Sequence, residues 1–380
     1  MFGTWGPGLL RMYASFGDVH VRLVGSQRLK EALPSEWNSF LSPAEDTFPQ
    51  AVLNLQEELP AVDQTLSDGW NSVSNHGLQE VLYYQDGRLQ FSLRYTDPEE
   101  GVTVCVPGVS SGFLRLGVLY GMLLGLHKKC IGLHGATIRC GGKNIILSAP
   151  SGTGKSTLAR LLEKFYRDVQ VINGDFAMLS LSDDGVMFEP TPFCGSSGIC
   201  LNKRLKIDHI VFLKQGKSAR WDTMTGRQAV TALMSNSFIP DWSFSLQQEM
   251  MSHILRMLPF VEVHSFAFAP DKEAVQVFLE NLMENKSHIV LNSKIHFKEV
   301  GQMDMNKVSL PASKEEMDEL FNQAREEIDL KNLDAVAGGD SGSGNPPTPW
   351  ICPFCGSTIM ARSIEDCRRH MPKCPQNPYK

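Results

Sequence analysis

Apolar and polar positions alternate along much of the first hundred residues, and the pattern predicts strands at Met12–Val24, Leu78–Gln85, Arg88–Tyr95 and Val102–Val106. Asp86-Gly87 between two of these runs is a hairpin signal, because both residue types tolerate left-handed backbone. At Ser110 the period changes. Apolar residues at helical spacing run to Lys129 behind a serine start, which predicts a buried helix. A strand over Ile131–Arg139, a Gly141-Gly142 turn and a second strand over Asn144–Ser148 follow, so a hairpin leads into the next loop. Thr157–Phe165 reads as an amphipathic helix. Short strands are expected at Val169–Ile172, Phe176–Leu181, Val186–Glu189 and Ile207–Leu213, and helices at Gly226–Ser235, Ser243–Leu258, Asp271–Glu284 and Ser313–Leu330.

This pattern divides the chain. Residues 1–109 form a β-rich region, 110–300 an α/β domain and 301–334 a helical extension. Residues 335–349 are rich in Gly, Ser and Pro and too poor in apolar residues to pack, which predicts a flexible linker. It sets off residues 350–380 as a separate module. The chain of 380 residues carries 36 Lys+Arg against 42 Asp+Glu, a mildly acidic balance that argues against nucleic acid as a partner. The N-terminus lacks a charged segment followed by an apolar run, so no secretory signal is expected. The longest apolar stretch, Phe113–Leu126, contains Arg115 and falls short of the roughly 20 residues that span a bilayer. Five cysteines are scattered singly and four cluster near the C-terminus. With no membrane association expected, that usage fits a cytoplasmic, reducing setting.

The chemistry concentrates in Ala149-Pro-Ser-Gly-Thr-Gly-Lys-Ser156. A Gly-rich loop between a buried strand and a helix predicts a phosphate-binding loop of the Walker A type. Its N–H groups and the positive end of the following helix would hold the phosphates of a nucleotide. Ser151, Gly152, Thr153, Gly154, Lys155, Ser156 and Thr157 are the expected contacts, with Lys155 as a point charge and the Ser156 hydroxyl on Mg²⁺. Ala149 stands where the usual pattern has Gly; Gly152 and Gly154 still permit close backbone approach.

Around the loop lie Leu133-His-Gly-Ala136, Val171-Ile-Asn-Gly-Asp175 and Thr191-Pro-Phe-Cys-Gly195, and near the N-terminus Met12-Tyr-Ala-Ser-Phe-Gly17. In this order they resemble the HPr kinase/phosphorylase superfamily, and most closely the HPr-kinase-like kinases of lasso-peptide and other ribosomal-peptide clusters, over about residues 10 to 285. The resemblance implies a P-loop kinase domain that uses ATP and Mg²⁺. His134 would approach the phosphates or position the acceptor. One departure stands out: the family usually carries paired aspartates where this chain has Gly174-Asp175.

Phosphoryl transfer needs positioning, Mg²⁺ and a carboxylate at the acceptor hydroxyl. Asp175, at the carboxyl end of a strand, is the candidate, as base or as Mg²⁺ organiser. The competing reading makes Asn173-Gly174 a hairpin turn that Asp175 merely shapes. Asp183 and Asp184 before Gly185 read as a surface turn. Among Lys203, Arg204 and Lys206, Arg204 is the candidate for stabilising charge at the reacting group.

Cys352 and Cys355, followed after fourteen intervening residues by His370 and after three more by Cys374, have the spacing of a tetrahedral Zn²⁺ site. Cys367 competes with His370, one turn earlier on the same face. A redox Cys-x-x-Cys would need a surrounding βαβ pattern that is missing. Four protein ligands leave no open position, so the zinc would be structural and supply the folding free energy of a small module. Its basic residues suit an acidic peptide.

The whole reads as an α/β protein with an ATP-dependent phosphotransferase domain of HPr-kinase-like type, acting on a hydroxyl, Ser by preference, of a peptide or small protein. Phosphorylation of a small molecule, or nucleotide binding without transfer, are the alternatives. A homo-oligomer is compatible with the sequence.

Overall fold

The computed structural model describes residues 9–42, 48–61, 66–75, 77–108, 112–150, 152–240 and 242–292, and two short strands at 348–351 and 358–361. The first part is a sheet built from β1 (Leu9–Phe16), β2 (Val19–Ser26), β3 (Leu41–Ser42), β4 (Ala51–Gln56), β5 (Gly69–Asn75), β6 (Leu78–Gln85), β7 (Arg88–Tyr95) and β8 (Val102–Cys105), with a short α1 (Gln27–Glu31) after β2. Their order is β3-β1-β2-β4-β8-β7-β6-β5. The single strand expected over Met12–Val24 is instead a hairpin, with Phe16 paired to Val19. Gly17 turns the chain at φ 65°, a left-handed conformation that alternation alone does not reveal. The Asp86-Gly87 hairpin forms as read, with both residues left-handed and their N–H groups donating to the Asp68 carboxylate.

Helix α2 (Gly112–Gly125) packs on this first sheet, although it was assigned by sequence to the following domain. Gly117, Gly121 and Gly125 present a bare stripe to Val104 and Ala51; a β-carbon at any of them would lie within 3 Å of those side chains. The core of the β-rich region therefore extends past residue 109, because three glycines let the helix lie close to the strands.

The second sheet holds β9 (Cys130–Cys140), β10 (Lys143–Ser148), β11 (Val169–Asn173), β12 (Phe176–Ser182), β13 (Gly185–Glu189), β14 (Leu205–Lys206), β15 (His209–Gln215), β16 (Arg220–Thr223) and β17 (Glu262–Phe268). Its order is β14-β13-β12-β9-β10-β15-β17-β16, with β11 also on β9. β10, β15 and β17 run parallel, and β9 is antiparallel to β10, β11 and β12. One face is covered by α3 (Lys155–Phe165) and α6 (Lys272–Asn292), whose Leu158, Leu162, Phe278 and Leu282 share a core with Leu147 and Phe266. The other face is covered by α4 (Gly226–Asn236) and α5 (Phe244–Met257), with Leu233, Met250 and Ile254 against Ile146 and Ile210. The result is a mixed α/β architecture with two large sheets.

Asp183 and Asp184 form the exposed turn of the β12–β13 hairpin, as the sequence indicated. The helix expected at Ser313–Leu330 lies outside the described residues. So do the zinc candidates Cys352, Cys355, His370, Cys374 and Cys367. The last residues of the expected linker, Thr348 and Pro349, belong to β18 (Thr348–Ile351), which pairs with β19 (Thr358–Ala361). No described helix is long and apolar enough to cross a membrane.

Candidate active site

The site forms where β9 changes partners. Residues 130–134 pair with β12 and residues 137–140 with β11, so the Asn173-Gly174-Asp175 turn falls opposite the gap. On the other side β10 ends at Ser148, opposite Gly135, and the Gly-rich loop leaves the sheet. His134 therefore sits where both neighbouring strands depart. The Ser148 hydroxyl donates to the His134 carbonyl at 2.8 Å and ties the two strand ends together.

Ser151 lies outside the described residues; the rest of the loop has the conformation its glycines predict. Gly152 and Gly154 have φ of 78° and 114°. Gly154 lies against the Phe268 ring, 3.1 Å from where a β-carbon would stand, so backbone alone lines that side. Lys155 opens α3, an 11-residue helix whose first N–H groups have no intrahelical acceptor. Ser156 and Thr157 are exposed in that first turn.

Lys155 bends back into the fold. Its Nζ donates to Nε2 of His134 at 2.7 Å and to the Ala149 carbonyl at 2.7 Å. Behind it, Nδ1 of His134 stands 3.6 Å from Oδ1 of Asp175. Three residues from three separate segments thus lie in succession, each beside the next. Burial and the Lys155 charge lower the His134 pKa to about 3, so the ring is neutral. Burial raises Asp175 to about 6, against the opposing pull of Lys155 and Arg115.

The Asp175 side chain is 19% exposed, and the turn is shaped by its neighbour instead. Oδ1 of Asn173 accepts from the N–H groups of Asp175 and Phe176, and Nδ2 donates to the Thr191 carbonyl. The turn residue is Asn173, and Asp175 is left to face His134. Thr191-Pro-Phe-Cys-Gly195 closes over this group. Gly195, at φ 55°, lies so near that a β-carbon would stand 2.7 Å from Cγ of Asp175. Gly174 has a steric cause: a β-carbon there would meet Oγ and Cβ of Ser197 at 1.9 and 2.5 Å. A second aspartate does not fit at position 174.

Arg204 is not brought to this group. Its Nε donates to both carboxylate oxygens of the buried Glu189 at 3.0 Å, and Nη1 pairs with Asp18 at 2.9 Å. Glu189 also accepts from Ser180, four residues along β12 from Phe176 and so about 13 Å away. The guanidinium compensates a buried carboxylate. Besides Lys155, the cation that acts on Asp175 is Arg115 on α2, which sequence reasoning did not single out as a site residue. Its signal was present: it is the one charge in the apolar run Phe113–Leu126.

No family model matches the chain, and no curated protein matches it. Among solved structures it is similar to the Hpr(Ser) kinase/phosphatase from Coxiella burnetii, at 10% identity and a TM-score of 0.26, over 44% of this chain and 98% of that one. At that TM-score the likeness is weak.

Proposed function

We propose that the chain is an ATP-dependent phosphotransferase of HPr-kinase-like type that phosphorylates a hydroxyl, serine by preference, of a peptide or small protein. The convergence of Lys155, His134 and Asp175 at the start of α3 carries this reading. The loop from Ser151 to Thr157 would hold ATP, and Ser156 would hold Mg²⁺. When bound, the metal offsets charge on the phosphates. Lys155 would turn its ammonium from His134 and Ala149 to the phosphate oxygens. Asp175 would take the acceptor's proton as the hydroxyl oxygen bonds to phosphorus and ADP leaves. A carboxyl raised to about 6 is a stronger base than an ordinary aspartate while remaining mostly ionised at neutral pH. His134 would orient the acceptor.

One observation favours a second reading, a nucleotide-binding scaffold without transfer. Ser197 fills the place of a second acid, which leaves Asp175 as the sole carboxylate of that motif. Incubation of the full chain with γ-labelled ATP, Mg²⁺ and serine peptides separates the readings. Label on peptide, lost in Lys155→Ala and Asp175→Asn, is expected. Label on a small molecule would shift the acceptor class, and tight nucleotide binding without turnover would establish the scaffold.

A further inference from the structure

At the opposite end of the second sheet, β15 and β17 begin with His209 and Glu262, paired in register, and His264 follows two residues later on the same face. Nδ1 of His209 lies 3.4 Å from Oε2 of Glu262, Nε2 of His264 lies 3.4 Å from the same oxygen, and the two ring nitrogens are 3.4 Å apart. These three atoms form an equilateral triangle. Donor atoms about 2.1 Å from a tetrahedral Zn²⁺ stand about 3.4 Å from one another. Octahedral coordination at about the same bond length would draw adjacent donors to about 3.0 Å, and Mg²⁺ and Ca²⁺ favour all-oxygen sets.

The surroundings fit the same use. Nδ1 of His264 is 3.4 Å from Oγ1 of Thr223 and can donate to it, which leaves Nε2 unprotonated toward the triangle. Trp221 packs on the His264 ring with centroids 4.7 Å apart, fixing its plane. Both histidines are buried while Glu262 is exposed, so a fourth position is reached from solvent on the Glu262 side. Two imidazoles, one carboxylate and an open position form a common Zn²⁺ donor set.

We infer that His209, Glu262 and His264 bind a divalent transition-metal ion, Zn²⁺ by donor set and geometry, with water as fourth ligand. This centre is separate from the phosphate site. Yet its two strands end beneath that site: Gln215 of β15 donates to the Gly152 carbonyl at 3.5 Å, and Phe268 of β17 backs Gly154. The ion would pin the register of these strands about 20 Å from the loop they support.

The test uses metal-stripped full chain titrated with Zn²⁺ against a chromophoric chelator, comparing wild type with Glu262→Gln and His264→Asn. Glu262 is exposed and glutamine matches its size, so this is the milder substitution, and a circular-dichroism spectrum checks that the fold is kept. Each variant should lose one high-affinity equivalent, with affinity there at least about tenfold weaker. The Zn²⁺-dependent rise in melting temperature should shrink in Glu262→Gln. In a Cys352→Ser/Cys355→Ser chain, Co²⁺ should give a tetrahedral visible spectrum without a thiolate charge-transfer band. Unchanged stoichiometry and affinity in Glu262→Gln, or zinc held only by sulfur in X-ray absorption of the wild type, would overturn the assignment.

Discussion

Nζ of Lys155 donates to Nε2 of His134 at 2.7 Å, and this bond sets the tautomer of the histidine. An ammonium has only donors, so Nε2 must be the unprotonated nitrogen and Nδ1 carries the hydrogen toward Asp175. Imidazole NMR should show the Nδ1–H tautomer and no protonation until the pH falls to about 3. In Lys155→Met the His134 pKa should rise while staying below the usual value, because burial is the larger cause. The same variant should weaken both ATP binding and phosphoryl transfer. A His134 that titrates normally in wild type would refute the bond.

Asp175→Asn separates chemistry from stability. Loss of a base should lower transfer by about 10²- to 10⁴-fold, while nucleotide affinity without Mg²⁺ stays within a few-fold. A carboxyl whose folded pKa is raised from 3.8 to about 6 contributes stability below the lower value and loses it as pH rises through the upper one. At pH 7 wild type therefore carries a deficit of about 3 kcal/mol that the asparagine removes. Urea unfolding should show the variant more stable at neutral pH. The difference should shrink to about a third near pH 4.5; a gap independent of pH would point to packing.

Arg204→Ala tests a structural role against a catalytic one. It strands the Glu189 carboxylate, whose side chain is 1% exposed, and should cost about 3–5 kcal/mol. Adding Glu189→Gln should restore much of that. Transfer per folded molecule should change little in the double variant; a large fall there would return Arg204 to the reaction.

Gly174→Asp, which would recreate paired acids, should destabilise the chain, because Cβ of Ser197 cannot move aside as a flexible side-chain tip could. Ser197→Gly in the same chain should recover part of the loss. Gly174→Ala alone should cost about 1–3 kcal/mol in chemical denaturation.

The C-terminal cysteines give a prediction distinct from the strand-edge metal site. Full chain should carry about two Zn²⁺, one of them lost in Cys352→Ser, if the tetrahedral spacing is used. A chain ending at Leu330 should keep its ATP affinity and lose affinity for the peptide acceptor.

Local signals were legible in the sequence because neighbouring residues carry them. The two-residue turns at Asp86-Gly87 and Gly141-Gly142, the amphipathic α3 and the left-handed glycines of the loop before it all follow from short-range backbone preference. His134 and Asp175 were reachable only through motif order, since a histidine in a strand and an aspartate after a glycine have ordinary local explanations. Which residues share a site was decided by strand pairing. The change of partner along β9 sets Asp175 beside His134, and the Asn173 amide assumes the turn-forming role. Arg204 goes to Glu189 because a buried carboxylate requires a cation, and Ser197 excludes an acid at position 174 by occupying its volume. His209, Glu262 and His264 form a triangle only through the parallel register of β15 on β17. Register between distant segments is a property of the packed sheet, and no local pattern encodes it.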